Sequence, residues 1–277
     1  MTKFIVDSTF AVTEEYAKKH DIRIAPLRLL LDGVESVEGY EPTWEEFYSR
    51  YEKSTSFPTT SQPSPFLFEE AIREILKENP SASIIILTIA GGLSGTVNSA
   101  RLAASSFPDS KIAVIDSQNA SMSEWMLLDR LLAANNNNTP FEELCTLAES
   151  LILRLASQFI PPTMKYLRKG GRIGFLGALF GDILSIKPLF DFRKNLVTVP
   201  KRIHGMKRAI NEMVERLPAK IEELYIVYIH KSDYIEVLAA AIKEQRGLED
   251  ISIRQVSPVF GIHIGIGTLG ICWLESE

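Results

Sequence analysis

Ile84-Ile85-Ile86-Leu87 is an unbroken apolar run that passes through Thr88-Ile89-Ala90 into a glycine pair, Gly91-Gly92. A strand with one wet face alternates apolar and polar residues. A continuous run this short, bounded by turn residues, instead fits a strand covered on both faces, as in a parallel sheet. Phe4–Val6, Ile22–Leu31 and Ile112–Ile115 also read as strands. Helical patterns lie between them. Ser64-Pro65 supplies an N-cap and a proline at the first helical position ahead of Phe68, Ile72, Ile75 and Leu76. Thr43 with Glu46 reads as a capping box, and Thr139-Pro140 with Glu142 opens a helix reaching about Leu155. Strand–helix alternation predicts a doubly wound, Rossmann-like α/β layer.

The pattern changes after Gln158–Pro162, where Pro161-Pro162 ends the preceding element. Residues 1–158 are therefore expected to form an N-terminal α/β domain and residues 159–277 a C-terminal α+β domain. In the latter, Ile186–Asp191 and Leu196–Ile203 predict a hairpin, followed by a helix at Lys207–Leu217 and a strand at Leu224–His230. A helix at Ile235–Gln245 and strands at Ile251–Val256 and Leu269–Leu274 complete it. Asn135–Asn138 reads as a polar surface loop.

The chain has 277 residues, 45% hydrophobic and 23% charged, with a net charge of −5. An acidic protein has no global field that draws it to nucleic acid. No apolar run approaches the roughly 18–20 residues that span a bilayer, and the start of the chain has no signal-peptide pattern, so stable membrane insertion is not expected and the predicted compartment is the cytoplasm. Cys145 and Cys272 have no cysteine or histidine at metal-ligand spacing and read as reduced residues, and no cofactor is implied.

Four clusters carry chemistry. Gly91-Gly92-Leu93-Ser94-Gly95-Thr96 joins the buried strand to a helix. Backbone N–H groups and the positive end of the helix dipole favour a phosphate or carboxylate there, and Ser94 and Thr96 add hydroxyls. No lysine follows the glycines, so this is not a Walker loop. Helix capping accounts for Ser94 equally well. Thr59-Thr60-Ser61-Gln62-Pro63-Ser64-Pro65 is a hydroxyl-rich turn stiffened by prolines, compatible with a ligand without demanding one. Basic residues bunch at Lys165–Arg172, at Lys201-Arg202-Ile203-His204 and at Lys207-Arg208. These suggest an anionic contact, although solvated helix ends are commoner. His263 lies within Gly261–Gly267, and a lone histidine among apolar residues is more often a hydrogen-bonded core residue.

Taken in order, the motifs resemble the DegV family of bacterial fatty-acid-binding proteins. They are Ile5-Val6-Asp7-Ser8-Thr9, Ala25-Pro26-Leu27, Thr60-Ser61-Gln62-Pro63-Ser64, Leu93-Ser94-Gly95-Thr96 and Asp116-Ser117. Lys169-Gly170-Gly171-Arg172-Ile173, Ile186-Lys187-Pro188 and His263-x-Gly265-x-Gly267 complete the series, from residue 5 to residue 267. The resemblance implies two α/β domains and a long-chain fatty acid in an apolar tunnel of the first, with its carboxylate at the cleft between them. Thr60 and Ser94 would hold the carboxylate, with Ser61, Gly95, Thr96 and His263 nearby. Arg172, Arg202 and His204 would face the cleft or a partner.

The resemblance also implies a carrier rather than an enzyme. A separate ATP-dependent fatty acid kinase would phosphorylate the bound lipid to an acyl phosphate that feeds phospholipid synthesis. About fifteen buried methylenes at roughly 0.8 kcal/mol each would dominate affinity. The carboxylate must still be hydrogen-bonded, because a dry charge costs several kcal/mol. Four positions depart from the family pattern. Ala90-Gly91 stands where serines are usual, which is expected to remove hydroxyls from the rim and leave more of the head-group binding to Thr60 and Ser94. His204 aligns with a usual arginine, and Ile266 with a usual proline. Two other readings use the same loop: a Ser94-dependent hydrolase or acyltransferase with His263 as base, and a phosphate or nucleotide binder. The first lacks the Gly-x-Ser-x-Gly elbow.

Overall fold

The computed structural model describes residues 1–171 and 186–277, which divide into two compact units, Met1–Leu153 and Arg154–Glu277. No helix among the described residues is long and apolar enough to cross a membrane.

The first unit runs β1 (Lys3–Asp7), a 3-10 turn (Ser8–Phe10), α1 (Glu14–His20), β2 (Arg23–Ala25), β3 (Arg28–Leu31) and β4 (Val34–Val37). It continues through α2 (Glu41–Lys53), β5 (Thr59–Ser61), α3 (Pro65–Glu78), β6 (Ile84–Thr88), α4 (Thr96–Ser105), β7 (Ile112–Asp116), α5 (Met122–Asn136) and α6 (Phe141–Arg154). β2-β1-β6-β7 form a wholly parallel sheet, and every residue of β6 is buried, as its uninterrupted apolar run requires. α3 and α4 pack together beside it, with Phe68, Ile72, Ile75, Ala100 and Ala103 meeting Ile5, Ile84 and Ile86.

The run expected as one strand over Ile22–Leu31 is two strands in different sheets. Pro26, which has no N–H to donate, separates β2 in the parallel sheet from β3 in an antiparallel sheet ordered β4-β3-β5. Asp32 and Gly33, at φ +53° and +75°, make the β3–β4 turn. Ser64 and Pro65 open α3 as expected, but Ser64 makes no side-chain capping bond. α2 starts before Thr43, whose hydroxyl donates back to the Tyr40 carbonyl, so the expected capping box is not formed. Residues 136–138 are exposed and Asn137-Asn138 form the expected turn between α5 and α6, but Asn135 is a buried residue of the last turn of α5. Its amide accepts from the Thr2 N–H at 3.0 Å and donates to the Thr2 carbonyl at 2.9 Å.

The second unit comprises β8 (Leu155–Ile160), α7 (Lys165–Gly170), β9 (Ile186–Arg193), β10 (Leu196–His204), α8 (Met206–Glu215), β11 (Ile221–Tyr228), α9 (Ile235–Arg246), β12 (Ser252–Gln255), α10 (Pro258–Ile264) and β13 (Leu269–Glu275). Its mixed sheet runs β10-β9-β8-β13-β11-β12. The segment read as a helix end and a junction is thus β8, an inner strand paired with β9 and β13. The hairpin holds, with strands longer than expected and Lys194-Asn195, both at positive φ, as its two-residue turn. α8 and α9 cover a core of Ile210, Met213, Leu238 and Ile242 against Ile226 and Ile271, and Leu167 of α7 joins a smaller cluster with Phe190, Phe159 and Ile264.

The ends of β1 and β6 are tied by a carboxylate with no solvent access. Asp7 Oδ2 accepts from the Ile89 N–H at 2.7 Å, and Oδ1 accepts from the Thr9 N–H at 2.9 Å and from the Thr9 hydroxyl. Burial pushes Asp7 up to about 6, partly offset by the Thr9 and Ile89 bonds. Glu124 of α5, also fully buried, has its Oε1 3.4 Å from both Thr9 Oγ1 and Ser117 Oγ. Its burial, and then the Asp7 charge, raise it well above the ordinary carboxylate range.

Both groups hold protons more tightly folded than unfolded. Their stabilising contribution is complete below the unfolded pKa values, near 4, and is lost as pH rises, for Asp7 through about 6. For Asp7 alone the change is of the order of 3 kcal/mol. Glu124→Gln, a neutral mimic of the protonated acid, is expected to be more stable than wild type at pH 7, with the gain shrinking at pH 4.5. Urea denaturation at the two pH values measures this, and an equal loss at both would contradict it. In the second unit Gly265 sits at φ +104°, and an added Cβ would lie 2.5 Å from Tyr166 Cδ2. Gly265→Ala should cost roughly 1–3 kcal/mol for the backbone alone, read from the same denaturation curves.

Candidate functional site

In the parallel sheet the chain passes from β1 to β2 on one side, while β6 and β7 lie on the other. The crevice outside the carboxyl ends of β1 and β6 is therefore the switch point, the usual ligand position in open α/β sheets. The Asp7–Ile89 bond fixes its floor, and the Ala90–Thr96 loop rises from it.

Backbone bonds from the Leu93 and Ser94 N–H groups to the Ala90 carbonyl fold this loop. Gly95 is the N-cap of α4 and makes no side-chain bond, while Ser94 stands one residue earlier. Ser94 Oγ lies 2.8 Å from Thr96 Oγ1 and accepts from the Thr96 N–H at 3.3 Å. Ser94 thus has part of the capping role that the sequence left open. The pair can do more than cap. Thr96 is buried and Ser94 half-buried. Either hydroxyl can be the donor in this pair; when Thr96 Oγ1 donates, the Ser94 proton is available to an anion beside the positive end of a ten-residue helix.

Thr60 belongs to edge strand β5 rather than to a loop. It pairs with Leu29, so it shares the face of the small sheet that carries the buried Leu29 and Leu31, and it is itself half-buried. Ser61 points the other way and is exposed. The β5 turn and the α4 start meet through Gln62, a residue that the sequence reading did not single out. Its Nε2 donates to Ser99 Oγ at 2.8 Å, and its Oε1 would be 2.2 Å from a Cβ at Gly95. The first unit thus sets Gln62 against Gly95 and Ser99, next to Ser94 and Thr96, with Thr60 two residues before Gln62 on β5.

The departures at residues 90 and 91 have physical readings. Ala90 is fully buried, so that position faces the interior and not a rim. A Cβ at Gly91 would sit 2.7 Å from Asp116 Oδ2, while Asp116 Oδ1 accepts from the Gly91 and Gln118 N–H groups at 3.0 and 2.8 Å. Glycine is what this carboxylate admits. Beside the end of β1 lies a cavity of about 210 Å³, lined by Ala11, Val12, Ile24, Pro26, Val37 and Trp44 along with the polar Ser8 and Glu38.

In the second unit, α7 and α10 pack through their glycines. A Cβ at Gly170 would be 2.9 Å from His263 Nδ1, so the Lys169-Gly170-Gly171 motif and the His263 motif, distant in sequence, lie side by side. His263 is half-buried in α10. His204 is exposed at the end of β10, opposite Ile186, and Arg202 pairs in register with Pro188. Arg172 lies outside the described residues. Lys187 is half-buried and donates to the Pro162 carbonyl at 2.7 Å. Among the described residues no group of three or more His, Cys, Asp or Glu side chains could hold a metal ion.

Residues 1–276 match a family profile described as an uncharacterised protein of the DegV family. A DegV domain-containing protein of Clostridium perfringens is 30% identical over 284 residues, covering 99% of each chain. Among solved structures, a DegV family protein from Thermus thermophilus described for its fatty acid binding is 29% identical, with TM-score 0.86 and 99% of both chains covered. A DegV lipid-binding protein from Thermotoga maritima is 26% identical, with TM-score 0.84 and complete coverage of both. With a fold shared over their full length and a profile matched from end to end, this chain belongs to the DegV family.

Proposed function

We propose that this protein binds a long-chain fatty acid, with the carboxylate held by Thr60 and Ser94 and the acyl chain in the apolar interior of the first unit. The observation that carries this reading is the pair Ser94–Thr96 at a helix N-terminus, at the switch point of a parallel sheet. The arrangement suits an anion, and the fatty acid and lipid binding of the Thermus and Thermotoga relatives gives that anion its class. The cavity of about 210 Å³ is smaller than the roughly 300–1,000 Å³ typical of ligand sites, so a long chain enters by parting the side chains around Trp44 and Val12. A nucleophilic Ser94 is less well supported, because its hydroxyl bonds to Thr96 rather than to an imidazole of the first unit.

We extend the proposal to the second unit. Its half-buried His263 and the basic residues of α7 and β10, with Arg172, Arg202 and His204, would meet a partner. The partner would be an ATP-dependent fatty acid kinase in the cytoplasm, and the carrier would supply orientation and charge neutralisation rather than a nucleophile.

Protein purified from cells should carry fatty acid, visible by native mass spectrometry. Ser94→Ala should weaken binding by roughly 10–100-fold, the loss of a hydrogen bond to a charged group. Thr96→Val, which only removes the bond behind Ser94, should cost less, about fivefold. Empty protein that takes up no palmitate would overturn the reading. For the partner, acyl phosphate trapped with hydroxylamine should form when a fatty acid kinase, ATP and the loaded protein are combined, and should be absent with the lipid-free protein.

A further inference from the structure

We propose that Gln62 is a positioning residue that fixes the spacing of Thr60 and Ser94, and thereby makes the site prefer a carboxylate over an alcohol. The inference rests on the reading of those hydroxyls as the carboxylate pair. Thr60 is carried by a three-residue edge strand whose ladder partner is β3 alone. Ser94 is carried by the loop before α4, which packs on β6 and β7 of the parallel sheet. Among the described residues β5 and β6 belong to separate sheets, with no ladder between them.

Gln62 spans them. Its Nε2 donates to Ser99 Oγ at 2.8 Å, and Ser99 is buried in the first turn of α4. Its amide oxygen end lies against Gly95, so that a Cβ there would approach Oε1 to 2.2 Å, Cδ to 3.0 Å and Nε2 to 3.1 Å. Gly95 has an ordinary negative φ of −75°, so a Cβ there would bring no backbone strain and would meet only the end of the Gln62 side chain, which would have to shift. An exposed glutamine ordinarily samples many rotamers. Here it is held at its tip by a hydrogen bond and along its amide by a glycine surface. Thr60 is two residues before Gln62, and Ser94 one residue before Gly95.

The chemical consequence concerns the second oxygen of the ligand. A carboxylate presents two acceptor oxygens and an alcohol presents one. Two hydroxyls reward the second oxygen only when their separation is fixed in advance, since otherwise ordering them offsets the bond gained. Loosening the Gln62 link should therefore cost acid binding and leave alcohol binding largely alone, because tail burial serves both ligands equally.

The test is competition binding of palmitic acid and 1-hexadecanol to wild type, Gln62→Ala and Ser99→Ala, each with its thermal midpoint. Wild type should favour the acid. Both variants should bind palmitic acid about tenfold more weakly, with hexadecanol affinity and midpoint little changed. Gly95→Ala, which displaces the amide, should act in the same direction. Equal weakening of both ligands would mean a general loss of packing and would overturn the inference, as would unchanged palmitic acid binding in both variants. Should Gln62→Ala not fold, Ser99→Ala carries the test from the other side of the bond. Wild type that binds neither ligand would instead overturn the fatty-acid reading, and this inference with it.

Discussion

The first unit is organised around a carboxylate that water does not reach. Asp7 ends β1, and by accepting from the Ile89 N–H it fixes where β6 stops and the glycine loop begins. The parallel sheet brings the two strand ends side by side, and this bond sets their register at the crevice where such sheets bind ligands. Ser94, Gly95 and the start of α4 follow within a few residues. The cost is a charge held in a dry site, with a second acid, Glu124, close enough to oppose it. Such a cluster is retained only where surrounding packing over-determines it, and functional sites are where that is commonest.

Much of this layout is legible in the amino-acid sequence. The apolar run Ile84–Leu87 announces a strand covered on both faces, and Ser64-Pro65 marks the start of α3. The glycine loop between strand and helix marks the place where the anion site is proposed. Other elements leave weaker traces. Ile22–Leu31 reads as one strand because every residue but Pro26 suits one, although Asp32-Gly33 is a hairpin signal pointing to a second sheet. Thr60 therefore looks like a loop residue when it is a strand residue. β8 leaves no trace at its start, because α6 ends at Arg154 and β8 begins at Leu155 with no turn between them. α10 carries the same Ser-Pro start as α3, at Ser257-Pro258, but its glycines read as a tight loop.

Contacts between distant residues are the part that no local pattern encodes. Gln62 against Gly95, Gly91 against Asp116, and Gly170 against His263 each join segments whose proximity only the tertiary fold sets. Each also changes what a glycine means. The glycines at 91, 95 and 170 are spaces occupied by another side chain, whereas Gly265 combines such a space with a backbone conformation that L side chains rarely adopt. The same logic revises the view of Ala90-Gly91. Ala90 faces the interior and a side chain at residue 91 would meet Asp116, so the pair reflects local packing as much as any change of head-group chemistry.

The central claim is that a fatty-acid carboxylate is held ionised by hydroxyl donors and a helix N-terminus. It is tested most directly by 13C NMR of protein loaded with palmitic acid labelled at the carboxyl carbon. Hydrogen bonds to the charged form lower a carboxyl pKa. The bound resonance should therefore be distinct from that of free lipid, should stay at its ionised position down to about pH 4, and should shift in Ser94→Ala. A bound resonance that titrates like a solvent-exposed carboxyl and is unmoved by Ser94→Ala would contradict the account.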